Sequence, residues 1–250
     1  MQWLQKEGDK VNNCKICRDC NFCSFCKGHE RIDDLQCGGY FIIQDPKRFC
    51  FGIDAVCLSN FAVIKKGERV LDLGTGTGII PILLCAKTDG LHFTGLEIQP
   101  ESVDMARRSV EMNNLSGRIQ IDEGDLKEAV VLYGAAVFDV VTVNPPYMNS
   151  GGGVLNENSA KAIARHEVKC TLADVVKISA RLLKTGGRLY MVHRPHRLVD
   201  VICTLREAKL EPKTIQFVQS TPEHAPSLIM IEAIDCGNPM VKIFPTQILQ

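Results

Sequence analysis

The stretch that most constrains the fold of this chain is residues 70–81, with the sequence VLDLGTGTGIIP. A short apolar run leads into Gly74, Gly76 and Gly78, and a second apolar run follows at residues 79–86. Glycine suits such a loop because it allows a tight turn and lets a ligand approach the backbone without meeting a Cβ atom. The free amides at the start of the next helix would face that ligand. The stretch therefore predicts the strand–loop–helix unit that opens a nucleotide-binding α/β fold.

Two acidic residues near this loop indicate which cofactor it suits. Glu97 follows the strand-like residues 92–96, about twenty residues beyond the glycines, where a carboxylate can accept hydrogen bonds from both hydroxyls of a ribose. Without the glycines, a solvated strand end would be the simpler interpretation of Glu97. Asp72 would repel a pyrophosphate but would suit the α-ammonium group of a methionine moiety. Together with the spacing G-x-G-x-G rather than G-x-G-x-x-G, this favours S-adenosylmethionine over a dinucleotide.

The composition is that of an ordinary globular protein. The 250 residues suffice for one α/β domain with a buried core, and 45% of them are hydrophobic. Basic and acidic residues balance at 29 each, so any nucleic-acid contact would come from a local patch. No apolar run is long enough to span a bilayer, and the polar N-terminus does not resemble a signal peptide. We therefore expect a cytoplasmic protein without membrane contact, whose 12 cysteines form no disulfide framework.

The N-terminal residues differ in character from the rest of the chain. They predict a cysteine-rich extension, residues 1–30, before a single domain that spans residues 31–250. The extension has cysteines at a strict three-residue step: Cys14, Cys17, Cys20, Cys23 and Cys26. Overlapping C-x-x-C pairs have the local spacing of ligands for zinc or an iron–sulfur cluster. The alternative is a disordered extension, or a translated leader whose cysteines have no role.

The order of the predicted elements indicates an α/β fold. Strands and helices alternate until the last two strands, which only a loop separates, so we expect a mostly parallel sheet with an antiparallel last strand and helices on both faces. Gly186-Gly187 is expected to stop a helix, and the glycine-rich residues 150–158 are expected to be mobile. The predicted helices are a run that ends at residue 61 and residues 79–86, 100–113, 172–184 and 198–209. The predicted strands are residues 40–45, 70–73, 92–96, 118–121, 138–143, 188–193, 214–218 and 227–234.

A second candidate site, Asn144-Pro145-Pro146-Tyr147, follows the strand at residues 138–143. In an open α/β sheet this carboxyl edge also carries the glycine loop. The Asn144 side-chain oxygen and a backbone carbonyl can accept both hydrogens of a planar amino group, and Tyr147 can stack on the ring that carries it. Holding both N–H groups aims a weakly nucleophilic nitrogen at an electrophile without a strong base. A rigid proline turn with a packed tyrosine is the alternative interpretation.

These motifs resemble the series found in class I S-adenosylmethionine-dependent methyltransferases that act on amino nitrogens. From about residue 31 the sequence is similar to the bacterial valine-tRNA adenine-N6 methyltransferases, which modify an adenine beside the anticodon. The resemblance implies a Rossmann-like, seven-stranded sheet with a reversed last strand, S-adenosylmethionine as cofactor and tRNA as substrate. A base leaves its stack more easily in an anticodon loop than in a duplex. The more particular matches are residues 31–35 (RIDDL), 43–46 (IQDP), 51–56 (FGIDAV), 164–167 (ARHE) and 193–195 (HRP).

The resemblance also assigns roles to individual residues. Glu97 would bind the ribose, and Asp125 would accept a hydrogen bond from the cofactor's adenine, with Leu126 against the ring. Phe51 and Asp54 would lie beside the methionine end and the target base. The implied cofactor-binding residues are Phe51, Asp54, Asp72, Gly74, Gly76, Gly78, Glu97, Ile98, Asp125, Leu126 and Asn144. The implied catalytic residues are Asn144, Pro145, Pro146 and Tyr147.

Other functions stay open at this point. A planar amide presents the same donor pair as an adenine amine, so a release-factor glutamine, a ribosomal RNA base or a DNA base would also fit the tetrapeptide. A non-catalytic nucleotide-sensing module is a further alternative, but intact Asp72 and Glu97 argue against it. Arg165 and His166 are either phosphate contacts or part of a solvated face. Residues 188–213, which include Arg194, carry six basic and three acidic side chains, a mild excess that would suit an RNA backbone.

Overall fold

The computed structural model describes residues 23–48, 50–145 and 170–249. The helices in these ranges are α1 (Ile53–Phe61), α2 (Ile79–Lys87), α3 (Pro100–Met112), α4 (Ala129–Tyr133), α5 (Leu172–Leu182) and α6 (Leu198–Glu207). Single turns of 3-10 helix occupy Cys23–Phe25, Leu126–Glu128 and Pro195–Arg197. The strands are β1 (Arg31–Asp34), β2 (Phe41–Gln44), β3 (Arg69–Leu73), β4 (His92–Glu97), β5 (Ile119–Glu123), β6 (Phe138–Val143), β7 (Leu183–His193), β8 (Leu210–Gln219), β9 (Leu228–Asp235), β10 (Lys242–Ile243) and β11 (Gln247–Ile248).

A mostly parallel sheet forms the centre of the protein. Its seven main strands are ordered β5–β4–β3–β6–β7–β9–β8, and the short β10 and β11 pair in parallel with β8. Strand β9 is antiparallel to both of its neighbours, β7 and β8. The predicted Rossmann-like sheet with an antiparallel last strand is therefore confirmed. Strands β10 and β11 were not predicted, and neither was β1, which forms a separate hairpin with β2.

Helices cover both faces of the sheet, and a hydrophobic cluster lies under each layer. One cluster joins α1, α2 and α3 to the sheet through residues such as Leu58, Leu84 and Ala106. The other joins α4, α5 and α6 to the opposite face through residues such as Val176 and Leu205. We call these the α1–α3 face and the α4–α6 face. Because side chains alternate along a strand, each strand contributes in turn to the two faces.

The start of β7 differs from the prediction. Helix α5 ends at Leu182 rather than at residue 184, and β7 begins at once and includes Gly186 and Gly187. The pairing with β6 shifts register here, because Phe138 faces Leu183 whereas Val140 faces Arg188. Gly186 has a φ of 75°, a left-handed conformation that glycine adopts without strain. The two glycines therefore form a bulge inside the strand, where the sequence analysis predicted a stop before it.

The end of the predicted N-terminal extension packs against α3. Lys27 Nζ lies 2.9 Å from Asp104 Oδ1, and Arg108 donates to Glu30 Oε1 at 2.6 Å. Phe25 and Cys26 lie against a small apolar cluster that includes Met105 of α3. The predicted domain boundary at residue 30 stays a prediction. No helix in the described ranges is long and apolar enough to cross a membrane.

Several predicted features lie outside the described residues. These are Cys14, Cys17, Cys20, Pro146, Tyr147, the glycine-rich residues 150–158, the matched residues 164–167, and among them Arg165 and His166.

Candidate active site

The glycine loop connects β3 to α2 at the carboxyl edge of the sheet. Gly74, Gly76 and Gly78 have φ angles of 72°, 57° and 85°, so each occupies the left-handed region that disfavours other residues. A Cβ added at Gly74 or Gly76 would meet no atom within 4 Å, which leaves that side of the loop open to a ligand. At Gly78 an added Cβ would lie 3.3 Å from Ala106 Cβ, so the third glycine allows α3 to pack closely. The loop is thus left-handed at three glycines and open on one side, and its role as a cofactor cradle stays a prediction.

Glu97 holds the glycine loop from the neighbouring strand. Its side chain is buried at the end of β4, and Oε2 accepts a hydrogen bond of 2.9 Å from the Gly76 N–H. The other oxygen, Oε1, accepts from the N–H groups of Ile98 and Gln99 at 3.0 and 2.9 Å. Each carboxylate oxygen can accept more than one hydrogen bond, so Oε2 keeps capacity for a ribose hydroxyl. Ile98 follows with its side chain 40% exposed at the same edge.

Asp72 is a buried carboxylate beside the loop, with only 1% of its surface exposed. Its Oδ1 accepts a hydrogen bond of 2.7 Å from the Thr142 hydroxyl. Neither Asp72 Oδ2 nor the buried Thr75 Oγ1 has a hydrogen-bond partner among the described residues. Burial, and to a smaller extent the Glu97 carboxylate, raise the pKa of Asp72 to about 7, while the hydroxyls of Thr142 and Thr75 oppose this rise. The Thr75 hydroxyl is thus near enough to favour the ionised carboxylate, although its geometry is not that of a hydrogen bond. A buried acceptor without a partner is costly, so this oxygen is well suited to a cationic donor such as an α-ammonium group.

Gly95 makes room for the loop and was missed by the sequence analysis. It lies in β4 directly opposite Asp72. A Cβ at this position would come within 2.7 Å of Thr75 Cγ2 and 2.8 Å of Thr75 Oγ1. Such contacts are far too short, so only glycine lets the Thr75 side chain lie on the sheet here. An isolated glycine inside a strand pattern is a signal of close approach, and it could have identified Gly95.

A row of polar side chains crosses the sheet at the level of Asp72. Strand register places Asp72 beside Thr142, Thr142 beside Tyr190, Tyr190 beside Glu232 and Glu232 beside Thr214. Tyr190 belongs to the hydrophobic cluster of the α1–α3 face, and cross-strand neighbours share a face, so the whole row lies on that face. The Tyr190 hydroxyl donates to Glu232 Oε1 at 3.0 Å, and the Thr214 hydroxyl donates to Glu232 Oε2 at 2.6 Å. We call these five residues the polar row.

Asn144 and Pro145 follow β6 at the same edge as the glycine loop. In the parallel pair, Val143 of β6 faces Leu73 of β3, so Asn144 begins the loop beside Gly74. Thr142, two residues earlier, lies on the face that carries Asp72, and Asn144 lies one residue past the end of β6. Both Asn144 and Pro145 are half-buried. The rest of the tetrapeptide, including the predicted stacking tyrosine, lies outside the described residues.

The two residues predicted to lie beside the methionine end, Phe51 and Asp54, lie just before α1 and in its first turn. The Phe51 N–H donates to Gln44 Oε1 at 2.9 Å, and Gln44 Nε2 donates to Asp33 Oδ2 at 2.5 Å. These bonds connect the β1–β2 hairpin to the start of α1. Asp54 lies in the first turn of α1, half-buried, where Oδ1 accepts from the Ala55 N–H at 2.9 Å. The hairpin therefore fixes where α1 begins, and with it the position of Asp54.

The predicted adenine contacts follow β5. Strand β5 pairs with β4 so that Glu123 faces Glu97, which brings Asp125 to the same edge as the ribose candidate. Asp125 caps the short 3-10 helix, because its Oδ1 accepts from the Lys127 N–H at 2.9 Å. The second carboxylate oxygen keeps its acceptor capacity for an adenine amino group. Leu126 packs partly buried against the cluster of the α4–α6 face.

The structure does not test the predicted metal site. Cys23 begins the first 3-10 helix, and Cys26 is half-buried. Over residues 23–48, 50–145 and 170–249, no group of three or more His, Cys, Asp or Glu side chains is arranged to hold a metal ion. The cysteines that would complete a zinc or iron–sulfur site lie before residue 23, so this prediction stays a prediction.

Comparison with known proteins identifies the family. Residues 53–211 match the model of the methyltransferase small domain. The chain is 29% identical over 187 residues to the tRNA1(Val) (adenine(37)-N6)-methyltransferase of Porphyromonas gingivalis, and this match covers 72% of both chains. It is 26% identical over 181 residues to the protein of the same name from Parabacteroides distasonis, covering 72% of this chain and 75% of the relative.

Solved structures show the same fold at low sequence identity. A predicted O-methyltransferase from Agrobacterium tumefaciens superimposes with a TM-score of 0.63 and 22% identity, over 78% of this chain and 86% of that one. A SAM-dependent O-methyltransferase from Thermotoga maritima gives a TM-score of 0.54 and 18% identity, over 78% and 70% of the two chains. Fold, loop and relatives together define an S-adenosylmethionine-dependent methyltransferase. The chain belongs to the methyltransferase small-domain family.

Proposed function

We propose that this protein transfers a methyl group from S-adenosylmethionine to the N6 amine of an adenine in the anticodon-loop region of a tRNA. The observation that carries the proposal is the placement of Asn144 and Pro145 beside the glycine loop, at the carboxyl edge that also holds Asp72 and Glu97. Groups that can accept hydrogen bonds from the substrate amine therefore lie next to the loop that would bind the methyl donor. The names of the Porphyromonas and Parabacteroides relatives support tRNA adenine as the substrate.

The residues at this edge would hold the cofactor along its length. Asp72 Oδ2 would accept from the α-ammonium group, Glu97 from the ribose hydroxyls and Asp125 from the adenine amino group. When bound, S-adenosylmethionine supplies an electrophilic methyl group. The left-handed glycines keep the loop backbone open on the ligand side, so the cofactor can lie directly against it.

Asn144 and Pro145 would orient the substrate nitrogen. The Asn144 side-chain oxygen and the Pro145 carbonyl accept the two hydrogens of the amine, which directs the nitrogen lone pair toward the methyl donor. The nitrogen becomes positively charged as it attacks, and two preorganised acceptors stabilise that charge. Because the amine becomes much more acidic in this process, its proton can pass to water after attack, and no strong base is required.

Arg194 is the proposed phosphate contact nearest to this site. It follows β7, whose Met191 faces Val143 of β6, so Arg194 lies at the same edge as Asn144. Its Nη1 donates to the Ser227 carbonyl at 3.2 Å, which anchors the side chain beside the start of β9. The one-turn helix Pro195–Arg197 adds His196 and Arg197, and Arg197 pairs with Asp200. The two arginines, Arg194 and Arg197, would suit an RNA backbone at this edge.

The experiment that tests the proposal is methyl transfer from labelled cofactor to total tRNA, ribosomal RNA, protein and DNA from cells that lack this enzyme. The expected result is label in tRNA, recovered as N6-methyladenosine after digestion. Label confined to protein would overturn the tRNA assignment in favour of glutamine methylation. Label confined to ribosomal RNA or DNA would overturn it in favour of another base.

The Arg194 contact has its own test in the salt dependence of tRNA binding. Arg194→Ala should weaken binding a few-fold and reduce the slope of log affinity against log salt by about one, the value for one phosphate contact. Arg206→Ala is the matched control, because Arg206 pairs with Glu211 at the other end of α6. Equal effects of the two substitutions would contradict a specific role for Arg194.

A further inference from the structure

We propose that Thr142 is a positioning residue of the cofactor site. Its hydroxyl holds one oxygen of the Asp72 carboxylate and thereby presents the other oxygen to the α-ammonium group of the cofactor. The inference rests on the proposed role of Asp72 in cofactor binding. It adds a residue from the strand that carries the substrate motif, which the sequence analysis gave no role.

The geometry of the pair supports a fixed orientation. Thr142 lies directly opposite Asp72 in the parallel pair of β3 and β6, and its Oγ1 donates to Asp72 Oδ1 at 2.7 Å. The exposed fraction of Thr142 is 0% and that of Asp72 is 1%, so water does not compete for this bond. A threonine side chain is stiff about χ1, and its hydroxyl has one hydrogen to donate. The bond to Oδ1 therefore determines which way Oδ2 points.

The surroundings of Asp72 leave Oδ2 for a ligand. Within the described part of the chain, Oδ2 is a buried oxygen without a hydrogen-bond partner, and it lies two residues before the glycine loop. The charged side chain that faces Asp72 is Glu97 from β4, and the neighbouring loop and strand contribute the hydroxyls of Thr75 and Thr142. The neighbours of the carboxylate are an anion and neutral hydroxyls, none of which neutralises its negative charge. The α-ammonium group of the cofactor would do so.

The same hydrogen bond controls the protonation of Asp72. Burial holds the pKa of Asp72 near 7, and the Thr142 donor favours the ionised form. Without that donor the pKa would rise further, and the carboxyl would be neutral at pH 7 before a ligand arrives. A neutral carboxyl must release its proton when an ammonium group binds, which weakens the observed affinity. Thr142 therefore contributes both the direction and the charge of the acceptor.

The position of Thr142 also connects the two halves of the site. It is two residues before Asn144, which lies one residue past the end of β6. One strand would thus orient the carboxylate that binds the donor and the amide that binds the acceptor.

The test is calorimetric binding of S-adenosylhomocysteine, which has the α-ammonium group but no methyl to transfer. Binding is measured from pH 6 to pH 9 in buffers of different ionisation enthalpy, so that proton release is counted. Thr142→Val should weaken affinity about tenfold at pH 7, release more protons on binding and recover affinity at higher pH. Thr142→Ser restores the hydroxyl and should return affinity to within about twofold of the wild type. Asp72→Asn should abolish the pH-linked proton release.

Thr214→Val is the matched control, because Thr214 donates to a carboxylate of the same polar row far from the glycine loop. It should leave binding of S-adenosylhomocysteine unchanged. If Thr142→Val does not fold, Thr142→Ala replaces it, and carbon NMR follows the titration of the Asp72 carboxyl in this variant, in Thr142→Ser and in the wild type. The pKa of Asp72 should be higher in Thr142→Ala and unchanged in Thr142→Ser, and a difference of less than about 0.3 between Thr142→Ala and the wild type overturns the proposal.

Two outcomes would contradict the positioning role while leaving the cofactor assignment intact. One is wild-type affinity in Thr142→Val at pH 7. The other is a loss that is the same at every pH and that Thr142→Ser does not restore, which would indicate packing alone. Failure of the wild-type protein to bind S-adenosylhomocysteine would instead overturn the proposed function itself.

Discussion

The two carboxylates of the polar row, Glu232 and Asp72, differ in how many of their oxygens are hydrogen-bonded. Glu232, between β7 and β8, has both oxygens hydrogen-bonded, one to Tyr190 and one to Thr214. Asp72, on β3 at the same level, has one oxygen bonded to Thr142 and, in the part of the chain that the structure describes, no partner for the other. Both lie on the same face of the same sheet. The difference separates a carboxylate that serves the fold from one whose second oxygen is available to a ligand.

The difference follows from what lies next to each group. Burial, and then the Glu232 carboxylate, raise the pKa of Tyr190, so the phenol stays protonated and donates its hydrogen bond. Asp72 has Gly95 as its neighbour on the other side, a residue without a side chain. The neighbour of Asp72 that carries a donor on this side is Thr75, whose hydroxyl favours the ionised carboxylate but has no hydrogen-bond partner by geometry, so Oδ2 keeps its acceptor capacity. Unsatisfied buried acceptors are rare in native proteins, and they commonly mark binding sites.

The largest expected effect is on the pH dependence of stability without cofactor. The pKa of Asp72 is raised by burial from 3.8 to about 7, so its contribution is fully present below pH 4 and about 4 kcal/mol is lost as pH rises through 7. The pKa of His193 is lowered to about 4 by burial and by Arg197, so its contribution has the opposite sign: it is present above pH 6.5 and lost as pH falls through 4. The two effects oppose each other in the wild type.

Asp72→Asn removes one of these two effects, so the stability of this variant should rise with pH between 4 and 6.5. Denaturant unfolding at pH 4, 5.5 and 7 for the wild type and Asp72→Asn measures the difference between the two profiles. Parallel profiles would show that Asp72 does not titrate in this range and would remove the contrast with Glu232.

The next prediction tests whether Glu232 stabilises the fold without contributing to cofactor binding. Glu232→Ala leaves the hydroxyls of Tyr190 and Thr214 without their acceptor in a half-buried position and should cost about 3 kcal/mol of stability. Affinity for S-adenosylhomocysteine should not change, because two strands, β7 and β6, lie between Glu232 on β9 and Asp72 on β3. Chemical denaturation and calorimetry on the same preparation give both quantities. A loss of affinity without a loss of stability would reverse the assignment of the two carboxylates.

Asn144→Ala separates the binding of the substrate amine from the binding of the cofactor at Asp72. The substitution removes an acceptor for the substrate amine and should lower single-turnover methyl transfer about 100-fold, the usual effect of losing one preorganised hydrogen-bonding group. Affinity for S-adenosylhomocysteine should change less than threefold, since Asp72 and Glu97 remain in place. Wild-type rates in this variant would show that another group holds the nitrogen.

The smallest expected effect concerns the space beside Asp72. Gly95→Ala introduces a Cβ that would lie 2.7 Å from Thr75 Cγ2, so the loop must move, and affinity for S-adenosylhomocysteine should fall about tenfold. Gly117→Ala is the control, because a Cβ there would meet no atom within 4 Å. Unchanged affinity in Gly95→Ala would mean that the position of Thr75 does not matter for the cofactor.

The fold could be predicted from the sequence where signals are local. The apolar runs that became β3, β4 and β6 and the amphipathic α3 were identified because their periodicity is contained in a few residues. The two-residue strands β10 and β11 carry no such pattern. The start of β7 was placed too late, because a Gly-Gly pair that usually stops a helix here forms a bulge within the strand.

The site could be predicted only in part, for a related reason. Asp72, the glycines, Glu97 and Asn144 belong to contiguous motifs, and the sequence order alone indicates one edge of the sheet. Thr142 and Gly95 act through cross-strand register, which depends on how β6 and β4 align with β3. Register is a property of the folded sheet, and nothing in either local sequence reports it.

The register of β3 and β6 also has a consequence for the order of folding. Strands β3 and β4 are close in sequence and can pair early, whereas the Thr142–Asp72 bond joins residues 70 positions apart. Closing that longer loop costs more chain entropy, and contacts of this kind are expected to form late. During synthesis, β6 cannot pair with β3 until residue 142 has left the ribosome. We therefore expect the nascent chain to form the glycine loop before it can orient Asp72.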